Sequence, residues 1–250
     1  MQKLAVVIIT KNEERNIGRA IASVKSIADE IIVVDSYSTD KTKEICESHA
    51  VRFVQTDWKG YAETKNFANQ LVVSDYIFSL DADEAPDEKL IESIQVEKQN
   101  GFSGIYVVNR LTNYCGKWIY HSGWYPDKKV RIFPKDKTKW TGAYVHEELE
   151  FSTPLQQKEL SGHLHHFSYY SFIDHRQRAD KYSLLTAKKL AEKGKTASAI
   201  KPMFSALGRF ISMYFLKAGF LDGRMGFKIA FISAQSNVIK YKELRRLTRK

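Results

Sequence analysis

The N-terminal third of the chain alternates short apolar runs with longer amphipathic stretches. The apolar runs predict β-strands, and the first of them is typical of a strand buried on both faces; they occupy residues 5–10, 30–35, 51–54 and 76–80. The stretches between them predict helices, the first with Ile17, Ala20, Ile21 and Val24 on its apolar face and Asn12 or a neighbour as its cap. Strands that alternate with helices indicate a parallel sheet with right-handed crossovers.

Polar residues follow three of these predicted strands, at residues 10–13, 35–40 and 81–84. Ligands bind open parallel sheets at the carboxyl ends of the strands. We therefore expect the functional site of this chain to lie where these three polar segments meet.

The rest of the chain has a different pattern. Residues 104–109 and 129–133 predict strands, and the loop between them is rich in aromatic side chains, among them Trp118, Trp124 and Tyr125. A helical pattern covers residues 171–195. Two apolar stretches at 203–221 and 227–239 and a basic tail at 240–250 then follow.

Composition limits the class of protein. The chain has 250 residues, of which 43% are hydrophobic and 27% charged, so it can form a packed core and is not globally disordered. No uncharged run approaches the ~20 residues of a membrane span, and the N-terminal segment lacks the pattern of a signal peptide. With only Cys46 and Cys115 as cysteines, we expect two structural thiols in a reducing compartment, the cytoplasm.

The net charge of +10 is unevenly distributed. Residues 176–250 contain 18 Lys and Arg but only 4 Asp and Glu, whereas residues 1–175 contain 21 basic and 25 acidic residues. A strongly basic region attracts phosphates, either on nucleic acid or on a membrane surface.

Asp81 and Asp83 come directly after a predicted buried strand. Two carboxylates at such a strand end can bind Mg²⁺ or Mn²⁺, which in turn bridges to a diphosphate. The alternative is an acidic first turn of a helix that has Pro86 at its first position. Asp35, at another strand end, can accept a hydrogen bond from a uracil ring or can stabilise a turn, and Lys65 can contact a base or phosphate or lie in solvent.

The sequence lacks the motifs of several common nucleotide-binding, hydrolase and zinc sites. It contains no P-loop and no dinucleotide fingerprint after the first strand. It also lacks a nucleophile elbow and a cysteine-rich zinc motif.

The motifs together resemble the inverting family 2 glycosyltransferases. The family motifs are VVIITKNEE at 6–14, IIVVDSYSTDKT at 31–42 and SLDADE at 79–84. Further motifs resemble the branch that contains lipopolysaccharide core β-1,4-glucosyltransferases, and the resemblance spans nearly the whole chain; they are WKGYAETKN at 58–66, YPD at 125–127, RIF at 131–133, VHE at 145–147, HFSY at 166–169 and GFLDG at 219–223.

This resemblance implies an α/β fold of the GT-A type, a mostly parallel mixed sheet flanked by helices, with a helical basic extension at the C-terminus. It implies a catalytic domain at 1–170, with a nucleotide-sugar half at 1–100 and an acceptor half at 101–170, and a membrane-surface region at 171–250. It also implies a set of donor-binding residues: Thr10, Asn12 and Glu13 in the nucleotide pocket, Asp35 on the uracil, Lys65 near the base, Asp81 at the ribose or sugar and Arg131 at the diphosphate.

The resemblance further implies a catalytic base and a metal site. Glu147 matches the branch motif as the base, with Glu148 as its immediate competitor. Asp83 matches the metal ligand for Mg²⁺ or Mn²⁺. His166 is expected at the metal or phosphate, with His163 and His165 as alternatives.

We therefore predict a cytoplasmic enzyme at the inner face of the cytoplasmic membrane that moves a hexose, most simply glucose, from a UDP-sugar to a saccharide or lipid-linked acceptor. A nucleotidyltransferase is one alternative, but the segment after the first strand lacks the Gly-rich basic loop expected of it. A nucleic-acid-binding protein is another, and it would leave the three acidic strand ends unexplained. We expect no nucleic-acid partner.

Overall fold

The computed structural model describes residues 2–142 and 147–249. Contacts among the described residues group the chain into two compact units. Unit one comprises Met1–Arg110 and Asp127–Phe167, and unit two comprises Leu111–Pro126 and Ser168–Lys250. The expected boundary near residue 170 placed the aromatic loop in the catalytic domain. In the structure this loop, Leu111–Pro126, belongs to unit two. The functional assignment of the domains stays a prediction.

In the described part of the chain, nine strands form one sheet, in the order β3-β2-β1-β4-β8-β6-β11-β5 with β7 beside β6. The strands of this sheet are β1 (Leu4–Thr10), β2 (Glu30–Asp35), β3 (Arg52–Gln55), β4 (Tyr76–Asp81), β5 (Glu84–Pro86), β6 (Ile105–Tyr114), β7 (Lys117–Trp118), β8 (Asp127–Pro134) and β11 (Gln157–Tyr169). A separate antiparallel pair consists of β9 (Thr138–Thr141) and β10 (Glu148–Phe151).

Strands β1 to β4 run parallel, whereas the pairs β4–β8, β8–β6 and β11–β5 are antiparallel. Ile8 of β1 lies opposite Val33 of β2 on one side and Leu80 of β4 on the other. Because these three strands are in parallel register, their carboxyl ends meet at one edge of the sheet. The predicted mixed α/β fold is confirmed.

The uninterrupted apolar run of β1 reflects burial on both faces. Alternate residues of a strand point to opposite faces, and the side chains of β1 accordingly join two separate hydrophobic clusters of unit one. One cluster includes residues of α1 (Ile17–Val24) and α4 (Glu88–Asn100), and the other includes residues of α3 (Tyr61–Gln70). Each large aliphatic side chain buried in this way contributes roughly 1.5–3 kcal/mol.

The remaining helices of unit one are α2 (Thr42–Ser48) and a 3₁₀ turn at Lys135–Lys137. The start of α4 shows whether Asp81 and Asp83 belong to an acidic first turn of a helix, the alternative to a metal site that the sequence left open. Asp87 is its cap, and its Oδ1 accepts a hydrogen bond of 2.8 Å from the backbone N–H of Leu90. Pro86 ends β5 and is not the first residue of a helix, so Asp81 and Asp83 do not belong to a first helical turn.

Unit two is helical. It contains α5 (Phe172–Glu192), α6 (Lys201–Ile211), a π-helical turn at Ser212–Leu216, a 3₁₀ turn at Gly219–Asp222 and α7 (Arg224–Thr248). The backbone turns back tightly before α7, since a Cβ on Gly226 would lie 1.8 Å from the carbonyl oxygen of Gly219. This close approach explains a glycine at residue 226. Among residues 2–142 and 147–249, no helix combines the length and apolar character that crossing a membrane requires.

Asp222 fixes the aromatic loop of unit two. Its buried carboxylate accepts hydrogen bonds from the backbone N–H groups of Tyr120 and His121, at 3.2 and 3.1 Å, and from the hydroxyl of Ser122 at 3.3 Å. Trp124 packs in the aromatic core, 5.5 Å from the ring of Tyr114. Trp124 therefore contributes to the packing of this loop.

Unit two also presents an exposed apolar stripe, spaced at three and four residues so that its members share one helix face. The members are 40–62% exposed and comprise Ile200, Met203, Phe204, Leu207, Ile211 and Phe215. We refer to them below as the apolar stripe.

Candidate active site

The carboxyl ends of β1 and β2 are joined by hydrogen bonds. Thr10 lies opposite Asp35 in the parallel register. Asn12 adopts a left-handed backbone conformation (φ 56°), and its Oδ1 accepts a hydrogen bond of 2.8 Å from the backbone N–H of Thr39. Of the predicted cap, Asn12 or a neighbour, Asn12 does not cap α1, because its side chain connects the two strand ends. Asn16 occupies the cap position, without a side-chain cap hydrogen bond.

Glu13 belongs to the same edge. Its backbone N–H donates to Oγ1 of Thr42 at 2.8 Å, and its carboxylate accepts from Nδ2 of Asn16 at 2.7 Å. Thr10 is nearly buried, and among the described residues its hydroxyl has no hydrogen-bond partner.

Asp35 is fully buried at the end of β2. Its carboxylate accepts hydrogen bonds from the backbone N–H of Ser38 at 2.9 Å and from Nε2 of Gln55 at 3.0 Å, and it also bonds the Ser38 hydroxyl. Asp35 thus stabilises the turn after β2, one of the two roles the sequence allowed. Its contact with uracil stays a prediction.

Asp81, Arg131 and Glu84 form an ionic chain in which Arg131 and Glu84 are buried and Asp81 is partly exposed. One guanidinium nitrogen of Arg131 lies 2.7 Å from Oδ2 of Asp81 and also bonds the fully buried carboxylate of Glu84. Burial raises the pKa of Asp81, but the charges of Arg131 and Lys65 outweigh this effect and hold it well below the usual value. Burial lowers the pKa of Arg131, but the carboxylates of Asp81 and Glu84 outweigh this effect and raise it above its usual value. Both side chains are therefore ionised throughout the physiological pH range.

Arg110 extends this chain. It lies 3.3 Å from Glu84 and 2.7 Å from Asp127, which is its partner in the antiparallel register of β6 and β8. Sequence reasoning assigned no role to Glu84 or Arg110. Glu84 could have been noticed, because it ends the family motif SLDADE at 79–84. Arg110 lies in no motif, and its position depends on the pairing of distant strands.

Lys65 links two of the predicted site residues. Its ammonium group lies 3.4 Å from Oδ1 of Asp81 and 3.2 Å from Oε1 of Glu147, and it is 4.6 Å above the ring of Trp140. The side chain is only 3% exposed, although lysines usually lie in solvent. The structure thus brings Lys65, Asp81 and Glu147 together. The expected contact of Lys65 with the nucleobase of the donor stays a prediction.

A cavity of about 520 Å³ in unit one contains these groups. Trp140 and Leu149 form part of its apolar wall. Its ionisable lining comprises Lys65, Arg110, Lys128, Lys129 and Arg131 with Asp81, Glu147 and Glu148. Basic groups outnumber acidic ones in this lining, and each of them forms an ion pair with a carboxylate.

The structure does not choose between the two candidate bases. Glu147 and Glu148 both line the cavity, but only Glu147 pairs with Lys65, and Glu148 is exposed at the start of β10. The other two residues of the predicted motif, Val145 and His146, lie outside the described residues.

Asp83 and His166 lie side by side at the same edge of unit one. Oδ2 of Asp83 is 3.2 Å from Nε2 of His166, and the backbone N–H of Phe167 donates to the carbonyl of Asp83 at 2.8 Å. His163 contacts Asp87 at 3.2 Å, and burial lowers the pKa of His165. Of the three candidate histidines, His166 is the one placed beside Asp83. No cluster of three or more metal-ligand side chains occurs in residues 2–142 and 147–249.

Comparison with known proteins agrees with this arrangement. Residues 5–176 match the model of glycosyl transferase family 2. Uncharacterized glycosyltransferases of Rickettsia typhi and Rickettsia bellii are 30% and 32% identical, and the alignments cover 100% and 99% of this chain and 89% and 87% of theirs. The lipopolysaccharide core biosynthesis glycosyltransferase LpsC of Rhizobium meliloti is 28% identical, over 92% of this chain and 90% of its own.

Among solved structures, glucosyl-3-phosphoglycerate synthase from Mycobacterium tuberculosis, in complex with Mn²⁺, uridine diphosphate and glucosyl-3-phosphoglycerate, aligns with 45% of this chain and 44% of its own. The identity is 24% and the TM-score 0.38. The family model covers well over half of the sequence, and relatives of 30% identity or more extend over nearly all of it. The chain is therefore a glycosyltransferase and belongs to glycosyl transferase family 2.

Proposed function

We propose that the chain is an inverting enzyme that moves a hexose, most simply glucose, from a UDP-sugar to a saccharide or lipid-linked acceptor. Membership of family 2 supports the transfer of a sugar. The relative named for lipopolysaccharide core biosynthesis supports a role in making that core or a similar cell-surface glycan. The resemblance of the motifs to the β-1,4-glucosyltransferase branch supports glucose as the sugar and uridine diphosphate as its carrier.

The observation that carries this proposal is the position of Lys65 between Asp81 and Glu147 in the cavity of unit one. Asp81 ends β4, where the resemblance implies the sugar of the donor. Glu147 is the implied base. A sugar held at one carboxylate and an acceptor hydroxyl at the other would meet within a single site.

In this proposal the nucleotide occupies the edge formed by β1 and β2, with Thr10, Asn12, Glu13 and Asp35 as its binding residues. The buried hydroxyl of Thr10, which has no partner among the described residues, supports a ligand there. The diphosphate then lies toward Arg131 and Lys65, whose cavity carries an excess of basic side chains.

Asp83 and His166 are the proposed ligands of Mg²⁺ or Mn²⁺. A carboxylate and an imidazole at 3.2 Å form a donor pair that suits Mn²⁺, and Mg²⁺ accepts the carboxylate. In the described part of the chain Asp83 forms no ion pair with lysine or arginine, in contrast to Asp81, so its charge is available to a cation. The bound ion would offset the charge that builds up on the departing UDP.

The chain's own residues account for the transfer step. The carboxylate of Glu147 takes the proton of the acceptor hydroxyl while that oxygen forms a bond to the anomeric carbon. The bond from the anomeric carbon to the phosphate oxygen breaks at the same time, and its electron pair leaves with UDP. Attack from the opposite face inverts the anomeric centre. Lys65 positions the base through its 3.2 Å contact with Glu147.

Product analysis tests the reaction. The protein is incubated with UDP-glucose, Mn²⁺ and a truncated lipopolysaccharide core oligosaccharide, and both UDP and pyrophosphate are measured. UDP release with a new β-glucosidic linkage is the expected result. Release of pyrophosphate would indicate a nucleotidyltransferase, and RNA binding without turnover would indicate a nucleic-acid-binding protein.

Unit two is the proposed membrane-binding part of the chain. Its apolar stripe is exposed, and the C-terminal region is strongly basic. An amphipathic helix with basic residues binds to the surface of an anionic membrane without crossing it. The enzyme would then act in the cytoplasm, at the inner face of the cytoplasmic membrane, where lipid-linked acceptors are accessible. Of the predicted basic tail, Lys250 lies outside the described residues.

A further inference from the structure

A second cavity, of about 560 Å³, lies within unit two between α6 and α7. Its floor is apolar and includes Pro202, Met203, Ala206 and Val238. Asn237 of α7 connects the two helices near this floor, because its side-chain N–H donates to the hydroxyl of Ser205 at 3.0 Å. The cavity is therefore a cleft with an apolar floor between two helices that are held together.

The rim of this cleft is basic. It comprises Lys242, Arg245 and Arg246, which share one face of the last turns of α7, and Arg249, which directly follows the helix. No acidic side chain appears in the described lining of the cleft.

Three of the four rim cations lack an acidic partner. Arg246 is bound to Glu243 by two hydrogen bonds of 2.7 Å. Lys242, Arg245 and Arg249 form no ion pair within the described ranges 2–142 and 147–249. Cations that line the same cleft repel one another, and an anion between them would relieve that repulsion.

The apolar floor continues into the apolar stripe. Met203 belongs to both, and it is 62% exposed. Phe204 and Leu207 extend the exposed apolar surface along α6. A molecule whose anionic group contacts the rim would thus meet apolar surface below it, and this combination matches an amphiphile better than a fully hydrated anion.

We infer that this cleft binds the phosphate headgroup of an anionic membrane lipid, with the start of its acyl chain against the floor. The inference rests on the proposed attachment of unit two to an anionic membrane and assigns that attachment to a defined site. The arginines suit a phosphate because the planar guanidinium donates paired hydrogen bonds to its oxygens.

Vesicle binding of the full-length protein provides the first test. Co-sedimentation is measured with vesicles of phosphatidylcholine alone and with vesicles containing one third phosphatidylglycerol. The cleft variant is Lys242→Ala/Arg245→Ala. The control, Arg176→Ala/Lys181→Ala, removes the same charge from exposed positions of α5 that do not line the cleft.

The cleft variant is expected to lose about tenfold in affinity for the anionic vesicles, and the control about twofold or less. Equal losses in both variants would overturn the site and leave a diffuse electrostatic attraction. Thermal melting confirms that each variant is folded. UDP release measured without membranes reports separately on the proposed reaction, so the two proposals can fail independently.

Soluble ligands distinguish a lipid from free phosphate. Calorimetry compares short-chain phosphatidylglycerol below its micelle concentration, short-chain phosphatidylcholine and inorganic phosphate. Only the phosphatidylglycerol should bind, and the cleft variant should lose that binding. Equal binding of inorganic phosphate, or failure of phosphatidylglycerol to bind the wild-type protein, would overturn the inference.

Discussion

The carboxylate of Asp83 lies 3.2 Å from Nε2 of His166. This contact arises because β5 and β11 pair in antiparallel register, with His166 opposite Glu84. Asp81, two residues earlier, is bound to a guanidinium instead. The two aspartates of one short motif therefore have different chemical environments: Asp81 is paired with a guanidinium, and Asp83 with an imidazole.

Replacement of Asp83 tests the metal site. We expect Asp83→Ala to abolish metal-stimulated UDP-sugar turnover with little change in the melting temperature, because the side chain lies at a strand end and its loss leaves no core cavity. Turnover with and without Mn²⁺ is measured beside a melting curve. Asp136→Ala, an exposed carboxylate in the 3₁₀ turn, is the control and should behave as wild type. Normal metal-dependent activity in folded Asp83→Ala would exclude the assignment.

The base is tested by a pair of adjacent substitutions. Glu147→Gln retains size and most hydrogen bonding but cannot take up a proton, so turnover should fall by roughly 10²-fold or more. Binding of UDP-sugar, followed by calorimetry, should remain nearly unchanged. Glu148→Gln is the matched control and should be much milder. The reverse order of effects would transfer the role to Glu148, and small effects in both would indicate that Glu147 serves only as the ion-pair partner of Lys65.

Arg131 should be essential for stability. It is 4% exposed and neutralises both Asp81 and Glu84, so Arg131→Met leaves Asp81 with Lys65 and the buried Glu84 with Arg110 as their remaining ion-pair partners, at the longer distances of 3.4 and 3.3 Å. Breaking a buried ion pair by removing one partner typically costs about 3–5 kcal/mol. Denaturant unfolding measures the change, with Lys129→Met, a partly exposed cation of the same strand that pairs with Asp127, as control. A stability loss as small as that of the control would show that the ionic chain is not a structural element.

The apolar stripe is predicted to insert into the membrane surface. Phe204→Ser/Leu207→Ser should weaken vesicle binding by at least about tenfold, since each apolar side chain transferred out of water contributes roughly 1.5–3 kcal/mol. The control is Val73→Ser/Val96→Ser, which removes exposed apolar side chains from unit one. Unchanged co-sedimentation of the stripe variant would mean that this surface has another partner.

His175 should make stability depend on pH. Burial lowers its pKa from about 6.5 to about 4, and its Nδ1 lies 2.8 Å from the hydroxyl of Tyr114. The unfolded chain therefore binds a proton that the folded chain rejects between about pH 6.5 and 4. The free energy of unfolding should have its full value above about pH 6.5. It should fall by at most about 3 kcal/mol as the pH decreases from there to about 4.

Urea unfolding at a series of pH values measures this dependence. His175→Gln should be less stable at neutral pH but should lose the part of the pH dependence that this histidine causes. His49→Gln, which changes a histidine of unit one outside the aromatic core, should retain it. Identical pH profiles for wild type and His175→Gln would contradict the prediction.

Much of the parallel sheet and one edge of the site could be predicted from local patterns. The uninterrupted apolar runs identified β1, β2 and β4, and the spacing of Ile17, Ala20, Ile21 and Val24 identified the buried face of α1. Adjacent parallel strands have their carboxyl ends together, so the polar segments after them were expected to meet. The basic, apolar character of the C-terminal region was likewise visible in composition alone.

Only the tertiary structure decided the partners of the charged groups. Arg131 meets Asp81, and Lys65 meets Glu147, across 50 and 82 residues of sequence. Such contacts depend on the register of antiparallel strands and on which helix face packs against the sheet, and a local period of two or 3.6 residues specifies neither. For the same reason the choice among His163, His165 and His166 required the structure, because the pairing of β11 with β5 determines which imidazole reaches Asp83.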